Sequence, residues 1–538
     1  KRLVAMADVV EKWNTYKAYN IHDVDILDEV NLLLPDIIPD EQRFWVLDQE
    51  INDRGVLLDT GLAAACEARM ADIVAETRAE LIKLTGCPNP NSVMQIKDWM
   101  ESKGVNVPAL RKEDVEKIML RPTTPELVKV VLKKRKLISA SSTAKYAAMR
   151  LRSSADGRAR GCFAYYGAHT GRAAGRGIQL QNLPRIPDDA LPRIAEIAND
   201  RGYVRSAATV DEIKMLLRAC LIAPQGQQFS VADLSAIEAR VVAWLAGEQW
   251  VLDAFAEGQD IYKATWSQMA GVPIEQVDGE MRQRGKAATL AFGYGGGVQA
   301  ILRLGGQRLP VPDDFAVQYW HELVDEYRPF IKDWGDNQLS AKYPTWVEYQ
   351  TKVLLPTWQN TMRDAYLDSL KRLWRKANPS IVRFWHELDA AFLDAAFTRS
   401  DTQVGRLWVL PGPEKQSVRL KLPSGRSLYY YKVRQQTYTD DDGKKRTRTA
   451  FTHAIGMPET TWGGKLTENV TQAVARDVLR DAMLAADAEG AEVVLHVHDE
   501  IGAEGSFDLE TVMSRSLDWA PGLPLAAHGV TTARYLGH

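Results

Sequence analysis

Val231-Ala232-Asp233-Leu234-Ser235-Ala236-Ile237-Glu238-Ala239-Arg240 is the stretch on which the reading of this chain turns. The apolar run from Gln228 to Ala232 predicts a buried strand, and the spacing after it predicts a helix from about Ser235 to Ala246. An acid at the C-terminal end of a buried strand stands at the edge of a sheet, where a metal or a substrate reaches it. Ser235 and Glu238 also have the Ser-x-x-Glu spacing of a capping box, so the stretch alone reads equally well as a helix start.

Further along lies Arg282-Gln-Arg-Gly-Lys286-Ala-Ala-Thr-Leu290-Ala-Phe-Gly-Tyr294-Gly295. At about 100° per residue, Arg282, Lys286, Leu290 and Tyr294 share one helix face. Two cations a turn apart, an apolar contact and a ring could hold a triphosphate at one end and a base at the other. The same pattern describes a helix with a solvated basic end. A third constellation, Leu495-His496-Val497-His498-Asp499-Glu500, reads as strand, turn and strand with two carboxylates at the tip. Clustered carboxylates suit Mg²⁺, a hard cation that takes oxygen ligands. His496-x-His498-Asp499 also fits a zinc hydrolase, but no other His-rich cluster exists to complete such a site.

The 538 residues hold 67 Lys and Arg against 70 Asp and Glu, with 45% hydrophobic residues, which excludes disordered and collagenous classes. The length suits about three or four domains and excludes a small binding module. No apolar run approaches the ~18 residues of a membrane span and no signal-peptide order opens the chain, so a cytosolic protein is expected. Cys66, Cys87, Cys162 and Cys220 lack CxxC spacing and are expected to be buried thiols. The chain opens on Lys1 inside a helical pattern, as expected of a fragment of something longer. From Lys133 to Arg185 there are twelve basic residues and one acid, Asp156, so +11 in this window leaves −14 for the rest of a chain of net −3. A basic stripe on an acidic body suits a phosphate backbone, although a solvated helix face gives the same count.

Short helical pieces are expected over residues 1 to 40. An amphipathic helix follows Asp59-Thr60 and stops at Gly86, more helices fill Pro88 to Arg150, and Gly-rich loops fill 157 to 177. Mainly helix is expected from 250 to 400. A β-hairpin is expected at 427 to 453, turning at Asp440-Asp441-Asp442-Gly443, and a long helix from about Lys465 to Ala486. Asp48-Gln-Glu50 reads as helix surface.

The three constellations, in this order and with this internal spacing, resemble motifs A, B and C of family A DNA polymerases, the polymerase I-like enzymes. Thr170-Gly171-Arg172 with Gln179-Leu-Gln181-Asn182-Leu-Pro184 is similar to the family's primer-template segment, Asn89-Pro-Asn91-Ser92 to its thumb, and Asp260-Ile261-Tyr262 to its fingers. Gly463-Gly-Lys465 through Arg476-Asp477 and Leu422-Pro-Ser-Gly425-Arg426 resemble the bacteriophage branch.

The resemblance implies an α/β (α+β) right-hand fold with an antiparallel palm sheet, helical fingers and a helical thumb. Its parts would be an exonuclease-like remnant (1–40), a thumb (41–160), first palm part (161–250), fingers carrying the hairpin (251–460) and second palm part (461–538). The implied activity is template-directed addition of deoxynucleotides to a primer 3′-hydroxyl with release of pyrophosphate. A single-subunit RNA polymerase and a metal-dependent nuclease are the alternatives. Asp233, Asp499 and the Leu234 carbonyl would hold two Mg²⁺, with Mn²⁺ a substitute, and Glu500 would support them. Arg282, Lys286, Leu290, Tyr294, Glu238 and Tyr262 would bind the nucleotide, Lys286 also serving in catalysis. Arg172, Gln181, Asn182, Gln472, His498 and Gly295 would touch primer-template DNA. Partners would be primer-template DNA and dNTPs, without a membrane, around a monomer in the cytoplasm of a bacterial or phage-infected cell. Leu234, Ala236, Tyr262 and Leu290 depart from the family's usual residues, but none removes a metal ligand. Tyr19-x₃-Asp23 looks like the last motif of the family's proofreading domain. Its earlier acids have no room in this chain, so no 3′→5′ exonuclease activity is expected.

Overall fold

The computed structural model describes residues 6–33, 37–138, 144–327, 346–439, 443–453 and 456–537. The chain divides into two compact units, Lys1–Leu47 and Asp48–His538. In the first, Met6–Leu33 is a single 28-residue helix, α1, rather than the short pieces expected, because no Pro or Gly interrupts it. Tyr19 lies on it, 63% exposed.

In the second unit the predicted amphipathic helix is α2 (Thr60–Thr85). The Asp59 carboxylate accepts the Leu62 N–H at 2.8 Å at its start. At its end Gly86 sits at φ +72°, its N–H donating to the Ile82 carbonyl. Leu62, Cys66, Met70 and Leu81 form the buried face. Leu81 joins a core with Ile96, Trp99, Val128, Val131 and Leu132 from the helices that follow. All four cysteines are free and buried, as composition suggested.

Next come strand β1 (Phe229–Leu234) and helices α3 (Ile237–Ala246), α4 (Ile261–Ala270), α5 (Gly279–Phe292) and α6 (Pro379–Phe397). The tryptophans of this region fill a core: Trp266, Trp374 and Trp385 pack with Phe292, Tyr366 and Leu370. The Trp374 and Trp385 rings stack, 6.0 Å apart and 5° from parallel. Strands β2 (Thr402–Val404), β3 (Leu407–Pro411), β4 (Val418–Lys421), β5 (Ser427–Thr439), β6 (Lys445–Thr452) and β7 (Pro458–Thr461) form a six-stranded antiparallel meander. The expected hairpin is its β5–β6 pair; the rest of the sheet is new. Of the expected turn, Asp440 to Asp442 lie outside the described residues.

Helix α7 (Gly463–Ala488) then runs through the interior, packed on α3 and α6. The chain closes with β8 (Glu492–Val497), β9 (Glu500–Glu504) and β10 (Ala527–Thr532). These pair with β1 in the order β8-β9-β1-β10, all antiparallel. The register sets Asp233 opposite Glu500 on one side and His528 on the other. Motifs 266 positions apart therefore meet on one sheet.

One expectation is corrected and two alternative readings fall away. Asp48 is not helix surface: it is 1% exposed, its carboxylate accepts from the Gln49 and Asn52 amides, and it lies 3.8 Å from His496. His496 is buried and stacks on Phe163 at 4.3 Å, in place of any zinc role. The capping box also fails: the N-cap of α3 is Ala236, without a side-chain cap, and Glu238 bonds elsewhere.

Candidate active site

Asp233 is the next-to-last residue of β1, and Asp499 occupies the tight turn between β8 and β9. The Leu234 N–H donates to the Asp499 carbonyl at 3.1 Å, which ties the two turns together. Each turn contains a non-glycine residue in the left-handed region, Ala236 at φ +50° and His498 at φ +59°. Such conformations cost about 1 kcal/mol or more and persist where surrounding structure enforces them. Here each lies within three residues of one of the two carboxylates.

Burial, the Asp499 charge and the Glu500 charge hold the Asp233 carboxyl far above the ordinary carboxylate range. Asp499 is raised too, chiefly by burial, with Arg172 and His498 opposing the rise. Burial pushes Glu500 up to about 7, although the Tyr535 hydroxyl donates to it at 2.5 Å. A cation between Asp233 and Asp499 would relieve this repulsion. Two carboxylates and a carbonyl also match the few protein ligands Mg²⁺ takes beside water and substrate phosphates. Among the described residues no three His, Cys, Asp or Glu side chains form a complete metal cage. Glu500 accepts from the Tyr535 hydroxyl, and its charge adds to the rise at Asp233.

A titration consequence follows for the protein without divalent cations. The folded state binds protons at these carboxyls more tightly than the unfolded chain does. Their stabilising contribution is thus full below about pH 4 and is lost as pH rises through about 7. His169, held neutral by burial with a pKa near 4, gives the opposite slope up to its unfolded value. The clean readout is therefore a difference: between pH 5 and 8 the melting temperature of wild type falls relative to Asp233→Asn. A constant difference across that range contradicts the coupling.

Beside the pair, Glu238 joins two other predicted residues. Its Oε1 accepts from Arg172 at 2.6 Å and its Oε2 from the Tyr294 hydroxyl at 3.1 Å. Glu238, Leu290 and Tyr294 line a cavity of about 90 Å³ together with Ile261, Thr265 and Thr289. Leu290 is 50% exposed, so it is no core residue of its helix. Arg282 and Lys286 both face Tyr262, with cations 5.2 and 5.7 Å from its ring centre. Their helix lies against α4 because Gly285 leaves room: a Cβ there would come 2.1 Å from the Tyr262 carbonyl oxygen. Arg282 also donates to Asp260 at 2.6 Å, and Asp260 caps α4 through the Tyr262 and Lys263 N–H groups. Gly295, at φ +72°, has the Trp462 ring where a Cβ would go.

Both ends of the Gln181 amide are sheltered from solvent without a hydrogen-bond partner among the described residues. Asn182 donates to Gln179 at 3.1 Å, Gln472 donates to Glu468 at 3.3 Å on α7, and His498 is exposed. Much of the basic stripe is tied down internally: Lys134, Arg150, Arg158, Arg160 and Arg172 each pair with a carboxylate. Among its cations, Arg172 pairs with a predicted site residue, Glu238.

Sequence reasoning missed the support beneath the 170–172 loop. Arg426, 6% exposed, donates to Asp477 (2.8 Å), the Tyr166 hydroxyl (2.9 Å) and the Thr170 and Ala473 carbonyls (both 2.9 Å). Arg476 donates to the Gly171 carbonyl at 3.0 Å. The Ser-Gly-Arg and Ala-Arg-Asp runs were visible, but not their meeting across 51 positions. Removing one member of a buried ion pair strands the other. Asp477→Ala is thus expected to lower unfolding stability by roughly 3–5 kcal/mol in urea titration. A loss under about 1 kcal/mol contradicts the buried-anchor role.

The sequence model of DNA polymerase family A matches residues 62–350. A DNA polymerase of Bacillus phage SP02 is 33% identical over 552 aligned positions, covering 98% of this chain and 75% of its own length. The thermostable DNA polymerase I of Thermus aquaticus is 28% identical over 297 positions, 53% of this chain and 32% of that protein. A solved POL domain of Pol1 from M. smegmatis, in complex with DNA primer-template and dNTP, superimposes with a TM-score of 0.55. That match covers 96% of this chain and 72% of the other at 14% identity, and shows a shared fold.

Proposed function

Because the chain belongs to DNA polymerase family A, we propose that Asp233 and Asp499 are the metal-holding carboxylates of its template-directed DNA synthesis. The chain is a DNA-directed DNA polymerase, a nucleotidyltransferase of DNA replication with a phage-type relative, and its fold is the right-hand polymerase fold. Family A enzymes are metal-dependent. The RNA polymerase and nuclease alternatives are not favoured.

The observation that carries the site assignment is the convergence, on one strand register, of Asp233 and Asp499 with the Arg172–Glu238–Tyr294 chain beside them. In this reading the two aspartates and the Leu234 carbonyl hold two Mg²⁺, with Mn²⁺ able to replace them. Bound there, the ions supply Lewis-acid activation of the primer 3′-hydroxyl and charge neutralisation on the phosphates. Arg282 and Lys286 orient the triphosphate, and Lys286 has a proton to give the departing pyrophosphate. Tyr262 fixes where those two cations stand, and Asp260 holds Arg282 ready until phosphate competes for it. Glu238 and Leu290 border the sugar. Tyr294 and Gly295 lie under the new base pair. Arg172, Gln181, Asn182, Gln472 and His498 face the primer-template end, and the unpartnered Gln181 amide supports this because buried polar groups call for partners.

By the same reading residues 41–160 form the thumb, 161–250 and 461–538 the palm and 251–460 the fingers, with 1–40 a remnant of an exonuclease-like domain. One chain supplies both aspartates, both cations and the ring, so the reading needs only a monomer. The cytoplasm of a bacterial or phage-infected cell is its proposed place, supported by the phage and bacterial relatives. Among the described residues no helix is long and apolar enough to cross a membrane. Extension of a recessed primer by dNTPs that requires Mg²⁺ and stops on chelation tests the assignment; extension undiminished by chelation overturns it.

A further inference from the structure

The β5–β6 ribbon has a face that the site above does not use. Leu428, Tyr430 and Val433 point into the core at 1% exposure or less, so their neighbours Tyr429 and Tyr431 point outward, and their rings stack at 6.3 Å. A bulge follows, with Lys432 at φ +51° and the register shifting between Ala450 and Thr452. The bulge restores the alternation so that Arg434, Gln436 and Tyr438 continue the same outer face. Across the strand, Arg448 stands opposite Gln436, its guanidinium over the Tyr438 ring at 5.0 Å. The two strands contain five cations (Lys432, Arg434, Lys445, Arg446, Arg448) and no Asp or Glu, in a chain of net charge −3.

The aromatic end of this face opens onto a cleft of about 710 Å³ walled by Tyr166, His169, Tyr429, Tyr431, His453 and Met457. Its one carboxylate, Glu459, is paired with His453 at 2.6 Å. The Tyr166–His169 wall runs directly into Thr170-Gly171-Arg172, so the cleft adjoins the proposed primer-template site. Cations interleaved with exposed aromatic rings fit a single strand: its phosphates meet the cations, and its unstacked bases meet ring faces that a duplex keeps to itself. A primer-template has one such strand at all times, the unpaired template ahead of the primer end.

We propose that the outer face of the β5–β6 ribbon and the cleft at its base hold the unpaired 5′ overhang of the template. The inference rests on the polymerase reading and adds a single-strand site to it. The test is equilibrium binding of the full chain to a blunt duplex and to primer-templates with short and long overhangs, about 2 and 12 nucleotides. Two double variants are compared, Tyr429→Ser/Tyr431→Ser and Arg434→Ser/Arg448→Ser. Wild type is expected to gain about tenfold or more in affinity from the long overhang. Both variants should lose most of that gain while binding the blunt duplex normally. The arginine variant should also flatten the salt dependence by about 0.7 per lost phosphate contact. An unchanged overhang gain in both variants, or an equal loss on blunt duplex, overturns the proposal. So does a gain that requires a displaced downstream strand, which would assign the face to that strand. Extension of a recessed primer with a short overhang is measured in parallel: its absence in wild type counts against the polymerase reading, and its persistence with an unaltered overhang gain counts against the ribbon alone.

Discussion

Asp233→Asn and Asp499→Asn are each expected to reduce primer extension by at least about a thousandfold, on the scale of several kcal/mol that a bound metal contributes to such a transition state. Folding should survive, because neither side chain anchors the core and each substitution removes a charge that the other repels. The β8-β9-β1-β10 pairing is made by backbone groups that Asn leaves in place. DNA affinity should also persist, since the cations and the Gln181 amide are unaltered. Loss of extension together with loss of folding would make the carboxylates structural. Near-normal extension by either variant would end the assignment.

Glu238→Ala is expected to raise ribonucleotide incorporation relative to deoxynucleotide by about 10- to 100-fold, the range that relief of an overpacked contact of ~1–3 kcal/mol gives. The carboxylate is held at both ends, by Arg172 and by the Tyr294 hydroxyl, so it cannot swing aside for a ribose 2′-hydroxyl in the cavity it lines. Deleting it also leaves the Tyr294 hydroxyl without its acceptor, which should cost about 1–3 kcal/mol of stability. Glu238→Gln keeps the volume and separates the two effects: discrimination should stay near wild type while the Arg172 pairing weakens. Competing ribo- and deoxynucleotides in a primer-extension ladder, beside a melting curve, measure both. An unchanged ratio in Glu238→Ala assigns the residue to structure alone.

What was legible in the sequence was local. Asp233 at the end of a buried strand, the Arg282–Lys286–Leu290 face and the turn at Asp499 each depend on spacing within a few residues, and the structure keeps each as read; Tyr294, read as part of that face, stands in the turn two residues past the helix end at Phe292. The antiparallel sheet beneath them was expected as well. Less legible was whatever needs a distant partner. Nothing local says that Glu238 reaches Arg172, 66 positions away, and Tyr294, 56 away, in preference to capping its own helix. Asp48 looked like surface because its shelter comes from folding beside His496. The six-stranded meander was reduced to its one long hairpin, since β2, β3 and β4 span only three to five residues each. Strand β10, Ala-His-Gly-Val-Thr-Thr, carries no alternation of buried and exposed residues to announce it. A count of charges in the basic stripe does not reveal which are paired: Lys134, Arg150, Arg158, Arg160 and Arg172 each meet a carboxylate.

The most direct test is single-nucleotide addition to a recessed primer as Mg²⁺ is titrated, with each of the four dNTPs supplied separately. Addition should occur with the dNTP complementary to the next template base, saturate with Mg²⁺, and vanish in Asp233→Asn at every metal concentration. Addition that ignores the template base, or that Asp233→Asn carries out at the wild-type rate, would contradict a metal-dependent, template-directed site built on Asp233 and Asp499.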